Sequence, residues 1–288
     1  QTFRQRVASD QPLVSAELRP PRRDLESDRA MDAWIDVHQT MRHLSRRDTV
    51  IFLTDNAVGS EEEESLTHLL RNLGDEADRD RIVPFLTLKH SLQYCLNFAR
   101  RAREAGFPGL VVLGGDKHDG IPRCLPHAYH LRERIREIEP SLLLGGWANP
   151  HRDPRQQVDF LCERSETVDF ALTQIVSHHD VEQVGRFVEE LRASSFDRPV
   201  IAGIFHYRSA RRRTLDTLSQ FIPVPREGLQ HDFRERGMKS FEVTATSIRE
   251  LNKLGLKDFY VSNLPAGSAG RRLDQIADLA GLPLSDKR

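Results

Sequence analysis

Disulfides, membrane spans and a dominant charge are all missing from this chain of 288 residues. Its three cysteines, Cys95, Cys124 and Cys162, are scattered, odd in number and form no C-x-x-C pair. That argues against a disulfide frame and for a reducing, cytoplasmic setting. No apolar stretch approaches the roughly 18 residues that a membrane-spanning helix needs. The first residues carry Arg4, Arg6 and Asp10 where a signal peptide would have an apolar core. Net charge is −1, so no global field favours nucleic acid or an anionic membrane as a partner. Arginine greatly outnumbers lysine, but acids balance it along the whole chain. No Ser stands in a G-x-S-x-G elbow, and no G-x-G-x-x-G follows a strand. A hydrolase nucleophile and a standard dinucleotide loop are therefore both without support.

What is present is a rhythm of short apolar runs alternating with helical periodicity. Strands are expected at 13–18, 49–53, 82–87, 109–113, 141–145, 169–174, 199–204 and 257–262. Amphipathic stretches at 92–105, 128–138 and 181–191 lie between them. Uninterrupted runs such as Leu110-Val111-Val112-Leu113 suit parallel strands covered on both faces. A β-to-α unit repeated in this way, over this length, predicts a single (β/α)8 TIM barrel spanning 1–288; a doubly wound open sheet is the rival. The longest departure from the rhythm is 209–240, rich in Arg and Pro. It is expected to hold the seventh helix and a long excursion, with a last helix at 241–254.

A barrel demands that chemistry sit at the C-terminal ends of the strands. The sequence places polar residues there: Glu17, then Thr54-Asp55-Asn56, Thr87, Gly114-Gly115-Asp116, Trp147 through His151, Gln174, Phe205-His206-Tyr207-Arg208, and Ser262-Asn263. Glu17 ends an apolar run and precedes Arg19-Pro20-Pro21. A carboxyl at an apolar barrel mouth has its charged form disfavoured, so it can serve as a general acid near neutral pH. The competing reading is a rim carboxylate paired with Arg19 or Arg22.

The segment Ser15-Ala16-Glu17-Leu18-Arg19-Pro20-Pro21 resembles the S-F-E-F-F-P-P opening of methylenetetrahydrofolate reductases. Further similarities follow in family order. Thr54 to Ser60 is similar to V-T-x-G-A-G-G-S, Pro84-Phe85-Leu86-Thr87 to P-H-L-T, and Leu113-Gly114-Gly115-Asp116 to L-R-G-D. Trp147 to His151 stands at Tyr-Pro-x-x-His, Ala171-Leu172-Thr173-Gln174 at A-x-T-Q, Gly203-Ile204 in P-G-I, and Gly255 to Phe259 before the last strand. The resemblance implies reduction of 5,10-methylenetetrahydrofolate by NADH or NADPH. Glu17 would protonate N10 to open the ring, and Asp116 would stabilise the iminium charge. Gln174 would read the pterin edge or the nicotinamide amide. Thr54, Thr87, Phe205 and Tyr207 become substrate contacts, while Gly114, Gly115, Trp147 and His151 become cofactor contacts. For Asp116, a turn cap is the alternative; for Gln174, a satisfied core amide; for the aromatics, simple packing. Arg208, Arg211, Arg212 and Arg213 suit a glutamate tail or a phosphate, or else a solvated helix face.

The same resemblance shows where flavin contacts are lost. Asp55 replaces an aromatic residue, Phe85 a His and Gly114 an Arg. Cys162-Glu163-Arg164-Ser165 leaves at most one arginine where a basic pair is usual. On the substrate side, Leu264-Pro265-Ala266 lacks the family Arg, and Ala210 falls near the family Phe. Each missing charge-assisted contact costs about 1.5–3 kcal/mol. FAD is therefore expected to be weak or absent, with hydride passing directly from NAD(P)H. Two other classes remain: a folate-binding barrel without catalysis, and a metal-dependent barrel using Asp116, His118, His178 and His179. No H-x-H or H-x-x-x-H ends a strand, and adjacent histidines rarely share one ion, so no metal is expected.

Overall fold

The computed structural model describes residues 1–21, 27–47, 49–54, 78–115 and 120–282. Eight parallel strands close into a barrel in sequence order. They are β1 (Val14–Leu18), β2 (Val50–Leu53), β3 (Ile82–Thr87), β4 (Gly109–Leu113), β5 (Leu143–Ala148), β6 (Phe170–Ile175), β7 (Val200–Phe205) and β8 (Asp258–Ser262). The seam is β8 on β1, where Val14, Ser15 and Ala16 face Phe259, Tyr260 and Val261. The expected single (β/α)8 barrel is thus the architecture of the described chain.

The helices are α1 (Phe3–Val7), α2 (Ser27–Ser45), α3 (Leu92–Glu104), α4 (Ala128–Ile138), α5 (Pro154–Cys162), α6 (Val181–Ala193), α7 (Arg212–Leu218), α8 (Arg226–Gln230), α9 (Ser240–Lys253) and α10 (Ala269–Ala280). In α3, Ser91 caps the start by accepting the Tyr94 N–H, and Cys95, Phe98, Ala99 and Ala102 form the buried stripe. Pro154 opens α5, where its missing N–H costs nothing, and Asp153 caps it. None of the described helices is long and apolar enough to cross a membrane.

Alternation along the strands divides the core into two shells. Ala16, Ile51, Leu86, Val112, Leu144, Ala171, Ala202 and Val261 pack outward under the helices. Leu13, Phe52, Phe85, Val111, Leu143, Phe170, Leu172, Ile201 and Tyr260 fill the interior. At the N-terminal end, α1 drops Phe3 into the barrel, fully buried. Its ring meets Phe170 at 5.0 Å and Phe52 at 6.0 Å, both edge-on. That end is plugged.

Two expectations need correction. β5 does not end at Gly145; it runs on through Gly146 and Trp147 to Ala148. The glycine is there for space, since a Cβ on Gly145 would lie 2.6 Å from the Phe170 ring. The seventh crossover helix is not within 209–240. That stretch holds α7, α8 and a π turn at His231–Glu235, whereas α9 makes the crossover and α10 is the last helix. The arginine-rich run that opens it is exposed: Arg208 donates to the Asn263 carbonyl, and Arg212 faces Asp216 at 4.0 Å.

Candidate active site

The alternation that makes the interior shell also sets the mouth. Stepping by two from interior residues brings each strand to its final inward position. These are Glu17 above Ser15, Thr87 above Phe85, Leu113 above Val111, Trp147 above Gly145, Phe205 above Gly203 and Ser262 above Tyr260; in β6 the register shifts after Leu172, and Ile175, paired with Gly203, takes the inward place beside Gln174. Thr54 lies just past β2 on the same parity and donates to the Leu18 carbonyl at 3.4 Å. Five expected site residues, Glu17, Thr54, Thr87, Trp147 and Phe205, therefore share one ring of strand ends, and Gln174 lies at the end of β6 within its register shift. Asp116 lies outside the described residues, as do Asp55, Asn56 and His118.

Glu17 is the titratable member of that ring. It keeps some accessible surface, yet its carboxyl is packed round by protein. Burial pushes its pKa above the ordinary carboxylate value, against smaller opposing pulls from the Ser262 hydroxyl and from Arg19. Ser262 Oγ donates to Glu17 Oε1 at 2.8 Å across the β8–β1 seam. Among the described residues the hydrogen-bond partner of the acid is thus a neutral hydroxyl, with Arg19 acting only through its charge; Arg22 lies outside the described residues. Beneath it, Tyr260 donates to the Thr173 carbonyl at 2.7 Å, in space that only a glycine at 203 leaves open. Burial, helped by Glu17, holds that phenol well above its ordinary value, so it stays neutral.

Gln174 sits where the β6–β7 register shifts, between Leu172 and Ile175. Its Oε1 accepts the Ile175 N–H at 2.9 Å. Among the described residues its NH2 group has no partner, which leaves a donor for a ligand. His151 bridges from the β5 loop to β6, Nε2 to the Ile175 carbonyl at 2.7 Å. Tyr207 is 3% exposed, tilts against Phe205 at 4.8 Å and donates to the Pro223 carbonyl. It forms a wall under the excursion more than a free platform. His206, behind it, places Nδ1 2.9 Å from Thr244 Oγ1, and burial with nearby Arg272 and Arg208 lowers its pKa to about 4.

Gly114 and Gly115 have a packing reason. A Cβ on Gly114 would lie 2.8 Å from the Arg123 guanidinium, and one on Gly115 would lie 2.7 Å from the Lys89 chain. Arg123 donates to the Gly115 carbonyl at 2.7 Å, and Lys89 to the Ile121 carbonyl at 2.7 Å. Two cations lie across the β4 end, and one fills the space next to the arginine-to-glycine change. Arg164, the arginine left upstream of Gln174, lies over the Tyr129 ring at 4.7 Å. Ser262 and Arg123 were not among the expected site residues. The sequence marks Ser262 as a polar strand end but gives it no role, whereas Arg123 follows no strand and gives no such signal.

The two adjacent histidines do converge, on a partner the sequence reading did not include. His178 Nε2 and His179 Nε2 lie 2.9 and 3.0 Å from the same oxygen of Asp232, which is 1% exposed. Asp232 comes from the π turn of the excursion, more than fifty residues along the chain, too far for local spacing to reveal.

The methylenetetrahydrofolate reductase family model matches residues 2–231. No curated protein matches the chain. Among solved structures, an uncharacterized protein from Clostridium thermocellum superposes with a TM-score of 0.73 at 14% identity, covering 97% of this chain and 99% of its own. That protein is described as binding two copies of 5-methyl-5,6,7,8-tetrahydrofolic acid.

Proposed function

Starting from a chain that belongs to the methylenetetrahydrofolate reductase family, we propose that it reduces 5,10-methylenetetrahydrofolate to 5-methyltetrahydrofolate with NADH or NADPH. The observation that carries this reading is Glu17: a buried carboxyl with raised pKa, at the barrel mouth, hydrogen-bonded among the described residues to a hydroxyl. Such a group holds its proton to higher pH than an ordinary glutamate and can deliver it to N10. Ring opening leaves an iminium at N5, and hydride from the nicotinamide then converts its carbon to methyl. The free NH2 of Gln174 offers a donor to the pterin or the carboxamide, and Trp147 and Phe205 offer flat apolar walls. Binding without catalysis would not call for a protonated acid at this position. The folate ligand of the Clostridium thermocellum protein, on the same fold, supports the substrate class.

Hydride passes directly from the nicotinamide in this reading. The glycine at 114 and the engagement of Arg164 with Tyr129 leave a flavin pyrophosphate fewer cations. Arg123 favours a second reading, because its guanidinium returns a cation to the β4 end and could hold a flavin or a nicotinamide phosphate. The test is anaerobic NADH and NADPH oxidation by flavin-free protein, with and without methylenetetrahydrofolate. Substrate-dependent oxidation without flavin is expected. Oxidation only after FAD is added would select the flavoenzyme, and none in either case would select a binding protein.

A further inference from the structure

Nothing in that reading uses His178, His179 and Asp232. Their ligand atoms all lie within 4.8 Å of one another. The hydrogens around them can be counted. Ser247 Oγ accepts the His178 backbone N–H at 3.3 Å and has one hydrogen to give, to the Val243 carbonyl at 3.3 Å or to His178 Nδ1 at 2.8 Å. When the hydroxyl donates to Val243, a neutral His178 ring carries its hydrogen on Nδ1 and a lone pair on Nε2. The lone pair faces Asp232 Oδ2 at 2.9 Å. His179 Nε2 faces the same oxygen at 3.0 Å, is buried and makes no hydrogen bond of acceptable geometry. Arg236 meets only the other oxygen, Oδ1, at 3.2 Å. In that tautomer two ring nitrogens face one carboxylate oxygen with their lone pairs, which is unfavourable unless a positive centre lies among them.

We propose that His178 Nε2, His179 Nε2 and Asp232 Oδ2 bind one divalent transition-metal ion of the zinc type. Two imidazoles and a carboxylate suit such an ion, and three protein ligands leave a position for water or an exogenous ligand. Ser247 and Arg236 are the outer partners that orient a ring and the carboxylate. The surroundings are shaped for it. A Cβ on Gly228 would lie 2.3 Å from His179 Nδ1, so only glycine in α8 admits the ring. The Arg236 N–H reaches back to the His231 carbonyl, a five-residue step that widens the helix at Asp232; such π turns recur at functional sites. The ion fastens the β7–α9 excursion to the β6 loop, beside the mouth but independent of the folate chemistry.

The experiment is titration of the chelator-treated full chain with Co2+, followed by Zn2+ competition. One Co2+ per chain is expected, with visible absorption of a low-coordinate N/O site that Zn2+ abolishes. Asp232→Asn and His179→Ala should each weaken binding by about 100-fold or more, and Gly228→Ala by about 10-fold. If a ligand variant fails to fold, as read by circular dichroism, Gly228→Ala carries the test because it keeps all three ligands. No stoichiometric Co2+ binding, or an affinity left unchanged by Asp232→Asn or Gly228→Ala, overturns the proposal. So does nitrogen NMR of the protein as purified that finds a hydrogen on His178 Nε2, since a proton would then be the positive centre.

Discussion

Asp258 opens β8 at one end of the barrel and Ser262 closes it at the other, and each end holds a buried acid. At the N-terminal end, Asp258 is 5% exposed, and its Oδ1 accepts the Leu13 N–H at 2.8 Å. At the C-terminal end, Glu17 accepts from Ser262. Burial raises both acids above their ordinary values. The difference is access. Phe3 plugs the first end with a fully buried ring, while Glu17 keeps some surface among strand ends bearing Thr54, Thr87 and Gln174. A raised carboxyl pKa thus marks chemistry only where a substrate can reach it; at the plugged end it records the cost of tying β8 to the residue before β1.

The strongest way to break that contrast is Glu17→Gln. Turnover should fall about 100- to 10,000-fold, read as kcat/KM for methylenetetrahydrofolate. Stability should hold or rise at neutral pH. Glu17 has a folded pKa raised above its unfolded value, so its ionised form weakens the fold above that unfolded value, and the amide removes the effect. A fall in stability alongside turnover would make Glu17 a structural group like Asp258. Next comes Phe3→Ala, expected to cost about 3–5 kcal/mol in denaturant unfolding, with kcat/KM unchanged while the chain stays folded. A catalytic defect there would mean that the plugged end is coupled to the mouth. The smallest effect is Ser262→Ala, about 0.5–1.5 kcal/mol. Its hydroxyl holds the Glu17 pKa down, so removal should move the alkaline limb of the rate profile to higher pH. A limb that stays in place would show that another group controls it.

Much of this contrast could be read along the chain. β3 and β4 have the expected bounds, because their apolar runs stop at polar or glycine residues. The parity of Glu17, Thr87 and Phe205 follows from strand alternation once the barrel is assumed; that of Gln174 does not, because β6 shifts register after Leu172. What local pattern could not show were contacts between distant segments. Gly145 looked like a stop, and only the Phe170 ring from β6 explains why the strand passes through it. Gly114 looked like a lost arginine, yet Arg123 lies against it. His178 and His179 looked like unrelated neighbours until the excursion delivered Asp232.

The seam bears on how the chain comes into being. Glu17 and Ser262 are 245 residues apart, and synthesis at about 5–20 residues per second separates them by roughly 10 to 50 seconds. Through that interval β1 has β2 as its only barrel neighbour, and Glu17 stands in water with the acidity of any surface glutamate. Its unusual proton affinity arrives with the eighth strand. Each new molecule therefore acquires its raised carboxyl last, when ring closure shuts the water out.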